Sequence, residues 1–452
     1  MKCAFPFGTT ISLLETANRE TSFYSPVIPL WCRDSFTWVR GCRLWLLALV
    51  LTEALSTGLN DASQVHAETK VIPSVSLSQR YDTNVFFAPR SFVPSGTKLW
   101  DFVTTATPQV EFLNKNQLAD TSIRAGVGAN AFVNNSDLAF FSTNVDAYSK
   151  LDGLVSRLLP GAKLLVSESY RYTPEPPAFL TGGKPPPTAD PFTRGLQGFR
   201  ANTFANIAGA QGSYAVTRNL SVRGDYSYSL FRVGTFFVQS SAGGPTFFDT
   251  NIQRWSIGPS LRLTRGDTIT LKYQDTHMNQ TGAGTQGFSF TTRAVLAEYV
   301  MKTSDWTATL TGGGTLLEQG NDMFASGGIV LAWNYDRSTK LQVSGSRDIA
   351  PATFGTGGAL ISNTMSMSIE HRLSKVLSLS GNANYAYSQT APVKLQTFES
   401  YAVAGSLRYF ITRQISTSLT YSYSFFGLTS PQSAPFEVPR QFVMFSLDAK
   451  WE

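Results

Sequence analysis

From Val71 onward, apolar and polar side chains alternate with a period of two, which sets successive residues on opposite faces of an extended chain. The run Ile415 to Phe425 shows it most clearly. Ile415, Leu419, Tyr421, Tyr423 and Phe425 face one way, and Ser416, Ser418, Thr420, Ser422 and Ser424 face the other. Trp255, Ile257, Leu261 and Leu263 alternate with Arg254, Ser256, Ser260 and Arg262 in the same manner, as Leu341 and Val343 do with Gln342, Ser344 and Ser346. A soluble sandwich also alternates, so the connections have to decide between the two.

The connections switch between short and long. Tight polar turns are expected at Thr217-Arg218-Asn219, Thr264-Arg265-Gly266-Asp267, Thr303-Ser304-Asp305, Asp336-Arg337-Ser338, Leu373-Ser374-Lys375 and Thr412-Arg413-Gln414. Between them lie Gly/Pro/Thr-rich stretches near 233–249, 276–288, 349–360, 389–397 and 427–438. Short turns on one side and long loops on the other predict an all-β, antiparallel, up-and-down transmembrane barrel, with periplasmic turns and extracellular loops. About eighteen strands fit between Val71 and Trp451, and sixteen is the alternative because 151–160 carries little pattern. An even number brings both ends of the barrel to the periplasmic side.

An internal repeat supports this reading. The stretch Tyr214 to Ser229 matches Tyr409 to Ser424 at 8 of 16 positions, and His371 to Ser388 follows the same plan with two extra residues. An insertion of two keeps every side chain on its face, where one would flip them. Tyrosines mark both ends of the units: Tyr214, Tyr299, Tyr335 and Tyr409 just before a turn, and Tyr226/Tyr228, Tyr385/Tyr387 and Tyr421/Tyr423 well after one. Two such bands match the aromatic girdles of a membrane barrel. The final strand, Val443, Phe445, Leu447, Ala449 and Trp451, resembles the aromatic-ended strand read by the outer-membrane assembly machinery, here followed by Glu452.

Composition then sets the compartment. Charged residues are 15% of the 452, and the apolar run Leu44 to Leu51 is too short to span a bilayer as a helix. Arg40 and Arg43 precede it, so it reads as a secretory signal with cleavage after Val65-His66-Ala67. The expected division is residues 1–67, extension and signal, and residues 68–452, barrel. Translation is expected to begin near Val39, because Glu15, Glu20 and Asp34 do not suit a signal; a short N-terminal domain is the alternative. Cys3, Cys32 and Cys42 all precede the cleavage site, which leaves no thiol to mispair in the oxidising periplasm. Cys42 lies ahead of the apolar run, the wrong place for a lipoprotein acceptor. Acids and bases balance over residues 1–67, so the barrel keeps the whole chain's net charge of +6. That is too mild for a nucleic-acid binder.

A barrel of this size encloses a hydrated lumen. The alternation lines it with Ser, Thr, Asn and Gln, together with Arg124, Asp146, Arg223, Asp225, Arg254, Arg262, Lys272, Glu298, Glu370, Arg372, Arg408 and Asp448. These make either a slightly basic conduit or a wall whose charges pair with one another. Residues 172–197, with Pro174, Pro176, Pro177, Pro185, Pro186, Pro187 and Pro191, cannot join a sheet interior and are expected to form an extracellular loop, either solvated or folded into the lumen.

The segment Ser76 to Phe86 resembles the opening strand of the putative β-barrel porin 2 family, as do the tyrosine–turn–strand units such as Tyr409 to Ser424. The resemblance implies an outer-membrane conduit, and by analogy with related barrels of exopolysaccharide loci a role in polysaccharide export. Partners would then be outer-membrane lipid, the assembly machinery, polysaccharide and periplasmic export proteins, with the oligomeric state open. A general or nutrient-uptake porin is the second reading. The third is a barrel hydrolase, since Asp275-Thr276-His277 resembles the Asp-x-His pair of omptin proteases. His371, beside Glu370, reads as structural or interfacial. No catalytic, cofactor or metal motif appears, and no cofactor is expected. The chain has no room beside the barrel for the plug domain of a TonB-type transporter or the passenger of an autotransporter.

Overall fold

A computed structural model describes residues 68–174, 200–236, 247–282, 287–353, 355, 357–430 and 433–451. The signal run, its cleavage site, the three cysteines and most of the proline-rich loop lie outside the described residues. The strands are β1 (Glu68–Asp82), β2 (Asp101–Lys115), β3 (Asp120–Phe132), β4 (Phe140–Lys150), β5 (Ala162–Thr173) and β6 (Ala201–Ala215). They continue as β7 (Leu220–Phe236), β8 (Phe248–Arg262), β9 (Asp267–Gly282), β10 (Phe288–Lys302), β11 (Trp306–Leu317) and β12 (Asp322–Asn334). The last six are β13 (Thr339–Pro351), β14 (Ala359–Arg372), β15 (Leu377–Ala391), β16 (Thr397–Phe410), β17 (Ile415–Ser430) and β18 (Ser433–Lys450).

Each strand pairs antiparallel with its sequence neighbours, and β1 also pairs with β18, with Ser74 opposite Lys450 and Tyr81 opposite Val443. The 18-stranded sheet is therefore closed, and no edge is left to be satisfied in a bilayer. Sixteen strands is excluded. The poorly patterned 151–160 stretch is a periplasmic connection containing a short helix, α1 (Asp152–Leu158), between two regular strands.

All six expected tight turns form, and they share one chemistry. The hydroxyls of Thr217, Thr264, Thr303 and Thr412 each accept hydrogen bonds from the backbone N–H groups two and three residues ahead. Asp336 does the same with its carboxylate, and Ser374 accepts from Val376. A short polar side chain that closes its own turn is why Thr recurs at these positions. The long loops are shorter than expected, because strands run well past the apolar band. The 427–438 stretch in particular is almost all strand, since β17 reaches Ser430 and β18 starts at Ser433. Backbone pairing continues wherever a neighbour offers it, whether or not the side chains face lipid.

One face of the sheet carries exposed Leu77, Val110, Trp255, Ile257, Leu271, Val295, Leu310, Ile329, Met365, Leu407, Leu419 and Phe445, the apolar coat of a membrane barrel. The other face carries the Ser and Thr pairs, the Ser76–Asp448 hydrogen bond, the Lys272–Glu298 ion pair and most of the two buried apolar clusters. This second face is the inward one. Aromatic residues gather toward the ends of the outer coat, as with Tyr81, Trp100 and Phe102 on one side and Trp333 and Tyr335 on the other.

Candidate functional site: the inward face and its outer cap

On β14 and β16 exposure along the inward face rises toward the periplasmic end, whereas on β8 and β9 burial extends down to Ser260 and Thr270. On β14, Leu360 and Ser362 are fully buried, Thr364 and Ser366 half-buried, and Ser368, Glu370 and Arg372 exposed. On β16, Phe398, Ser400, Ala402 and Ala404 are buried, whereas Arg408 is exposed. The buried end is the outer one and the exposed end the periplasmic one.

Loop segments that turn inward cause the burial. After β1 the chain folds under the mouth, so that Val85, Phe86, Phe87 and Ala88 are buried. Val85, Phe86, Ala88 and Val93 pack with Val103 of β2, Phe132 of β3, Leu360 of β14, Phe398 of β16, Phe426 of β17 and Val438 of β18. Ala352, from the β13–β14 loop, joins the same cluster. A second cluster fills the rest of the rim with Phe231, Ile252, Met278, Phe290, Leu317, Ile349 and Ala359. Burying a Phe or Leu side chain contributes about 1.5–3 kcal/mol, so this cap is a packed core and not a loose lid.

Polar groups pin the cap in place. The Arg440 guanidinium holds the buried Asp82 carboxylate through Nε at 3.0 Å and Nη2 at 2.5 Å, and lies 4.0 Å from the Phe87 ring centre. Phe87 itself has φ +53°, a left-handed conformation that a bulky residue adopts only when its surroundings impose it. Asn84 donates to the Ala88 carbonyl and closes the first bend. The wholly buried Arg200 donates from its backbone N–H to the Phe86 carbonyl and from Nη1 to the Val85 carbonyl, while its guanidinium lies over Phe132 and Phe140. On the far wall, Gln280 donates to the Ala352 carbonyl and accepts from the Gly358 N–H, both at 2.7 Å. Gly357, at φ +71°, fits there because a Cβ would lie 2.9 Å from both Phe248 and Phe288.

Below the cap the wall is polar and largely satisfied by itself. Ser344 pairs with Ser366, Ser346 with Thr364, Ser362 with Ser388, Ser418 with Ser446, Thr420 with Ser406 and Thr315 with Ser326. These are cross-strand partners on one face. Of the candidate lumen residues, Lys272 and Glu298 form a 2.6 Å ion pair, and Arg124 pairs with Glu111 at 3.0 Å. Lys450 reaches Glu111 at 3.7 Å, so Ser74, Gln109, Glu111, Arg124 and Lys450 line one recess near the periplasmic end. Asp146 accepts from Ser169, Asp225 from Ser256, and Asp448 from Ser76. Arg254 stands across from Ser227, with Asp225 the nearby opposite charge. Arg223, Arg262, Glu370, Arg372 and Arg408 are exposed and in no ion pair among the described residues. The twelve form no single cluster. The register carries all of them on the face that bears the Ser and Thr pairs, spread around the ring.

Sequence reading missed Asp82, Asp101, Arg200, Glu111, Gln280 and Arg440. Glu111 follows the same alternation as Gln109 and was legible. Asp101 organises the β3–β4 loop by accepting from the N–H groups of Val133, Asn134 and Asn135, a role that only the fold assembles. The Asp275-Thr276-His277 motif does not come together as a pair. Asp275 binds Arg293, and His277 Nδ1 meets the Thr291 hydroxyl at 3.1 Å. His371 likewise meets the Thr339 hydroxyl, at 2.9 Å. Among the described residues no group of His, Cys, Asp or Glu could hold a metal ion.

Residues 325–450 match the family described as "Putative beta-barrel porin 2". The match spans β12 to β18, including the Tyr409 to Ser424 unit. It covers only the C-terminal part of the barrel, and the closed 18-stranded sheet with its apolar coat is the architecture of outer-membrane barrels. Solved structures resemble the chain at low similarity. OccK2 (OpdF) of Pseudomonas aeruginosa is 9% identical with a TM-score of 0.42, covering 84% of this chain and 98% of its own. OccK3 (OpdO) of the same organism is 10% identical with a TM-score of 0.41, covering 85% and 96%. The siderophore receptor PirA of P. aeruginosa is 9% identical with a TM-score of 0.39, covering 85% and 80%. Likeness of this degree bears on no cargo. No curated protein matches the chain.

Proposed function

We propose that the barrel is a conduit for a hydrophilic polymer, with exopolysaccharide as the cargo class, loaded from the periplasm and released through the outer mouth when the cap moves. The graded burial along β14 and β16 carries this reading: there the inward face is open and polar toward the periplasm, and packed and apolar at the outer mouth. A general diffusion porin needs a standing aqueous path, and two apolar clusters across the mouth oppose one. The hydroxyl-lined wall suits a polyhydroxylated chain, because each Ser or Thr pair can exchange its mutual hydrogen bond for one to a sugar at little cost. No charged residue is required to discriminate such a cargo, which agrees with the near balance of charge along the wall. Export through a signal peptide and handover from periplasmic export proteins belong to the same proposal.

The experiment is single-channel conductance of residues 68–452 in planar bilayers, with and without residues 85–98 replaced by a short Gly-Ser link. Low conductance that rises on replacement, and falls again when neutral oligosaccharide is added, is the expected result. Large steady conductance in the unaltered protein overturns the capped conduit in favour of an uptake porin. No conductance in either form removes the pore.

A further inference from the structure

The outward face of β5 breaks the rule that the rest of the coat obeys. Leu164 and Val166 face lipid, Glu168 follows on the same face, and Tyr170 and Tyr172 lie beyond it toward the outer side. Of the other outward acids, Asp249, Glu318, Glu399 and Glu437 lie toward the outer ends of their strands or just past them, Asp267 lies at the periplasmic end, and Asp275, midway along β9, is paired with Arg293. A carboxylate within the band costs several kcal/mol unless something other than lipid covers it. Asn206 of β6 donates to one of its oxygens at 2.8 Å. The other oxygen accepts no hydrogen bond among the described residues, and the Asn206 amide keeps a second N–H.

Small residues flank Glu168 itself, bordered by Tyr170 and Phe204 on the outer side and by Tyr226 and Tyr228 along β7. The residues directly opposite Glu168 are Ala147 of β4 and Ala208 of β6, and Ala210 and Gly212 continue the β6 face. Small side chains let another backbone approach closely in a membrane. We infer that the outward face of β4–β6 is an interface for a second copy of this chain, joined about a two-fold axis near Glu168. A second copy is the fitting occupant because the pair is self-complementary: a spare acceptor on Glu168 and a spare donor on Asn206 meet their counterparts when the same patch is turned to face itself. That is the requirement of an isologous contact. The inference stands on the barrel and its apolar coat, not on the export reading.

Residues 68–452 contain no cysteine, so single cysteines report proximity cleanly. Ala208→Cys is expected to give a disulfide-linked species of twice the barrel mass when outer membranes are oxidised. Val403→Cys, on the outward face of β16, is expected to stay monomeric. The double variant Glu168→Leu, Asn206→Leu suits lipid better and should insert. Its dimer is expected to weaken about tenfold in native mass spectrometry, the weight of one or two hydrogen bonds in a membrane. A monomeric wild type with no Ala208→Cys crosslink overturns the interface. A monomer that carries bound lipid at this face, or a crosslink of some other mass, overturns the second copy as occupant.

Discussion

The two ends of the inward face are built from the same strands with the same alternation, yet one is a packed core and the other a wet wall. At the outer end, inward positions are Val103, Phe132, Leu360, Phe398, Phe426 and Val438. At the periplasmic end they are Lys272, Glu298, Glu370, Arg372, Arg408 and Asp448. What separates them is the presence of a partner. The outer positions have Val85, Phe86 and Ala352 to bury against, and the lower positions have only water and each other. An apolar inward residue in a barrel this wide is therefore a sign that something fills the lumen at that depth.

The largest effect is expected at the latch between Arg440 and Asp82. Arg440→Ala leaves the Asp82 carboxylate buried with only Arg80, 3.4 Å away, as counter-charge. Losing one partner of a buried pair costs about 3–5 kcal/mol, so a clear drop in urea resistance of the lipid-reconstituted barrel is expected, with frequent channel openings. Unchanged unfolding and a silent channel would show that the pair does not hold the cap. Replacing both residues, Asp82→Leu with Arg440→Met, is expected to restore much of the stability while openings persist.

A cut in the core itself comes next. Phe86→Ala removes a buried ring from the cap, and such cavities cost about 3–5 kcal/mol at most, less where the loop can settle. The effect is expected in hydrogen exchange of residues 83–99, with β9 and β10 unaffected. Protection lost evenly around the barrel would mean that cap and wall are one cooperative unit.

Changes at the open end should be smaller. Lys272→Gln breaks a part-buried pair and leaves Glu298 uncompensated, so in the uncapped form the reversal potential is expected to move toward cation preference. The stability change should stay within about 1 kcal/mol, as for other solvent-reached pairs. An equal loss to that of Arg440→Ala would erase the distinction between wet and dry ends.

The smallest effect is at the periplasmic turn Tyr335–Ser338. Hydrogen bonds from Ser338 and Thr339 hold the Asp336 carboxyl below the usual aspartate range. A lowered folded-state pKa contributes stability above the unfolded-state value and loses it as pH falls through the folded one. Asp336→Ala should therefore be slightly less stable than wild type at neutral pH, and the two should converge in acid. A gap that persists at low pH would place the turn's stability elsewhere.

Much of the wall was legible residue by residue. Thr217, Thr264, Thr303 and Thr412 announce their turns because a hydroxyl closes the bend within its own few residues. Arg254 and Ser256, or Lys272 and Gln274, reveal their face because the period of two is local. The strand ends at Phe236, Gly282 and Ser430 were not legible, since pairing there depends on a neighbour and not on composition.

The sequence by itself determined the strand class, the tight turns and the two faces, because each follows from interactions spanning a few residues, and it narrowed the count to eighteen or sixteen, between which the structure chose eighteen. Only the tertiary structure decided that the mouth is capped. Asp82 and Arg440 are 358 positions apart, and Gln280 and Ala352 are 72 apart. No local pattern marks such pairs, and only closure of β1 onto β18 brings the first pair face to face. The same closure turns Val85 and Phe86, apolar residues in what reads as a loop, into the centre of a core.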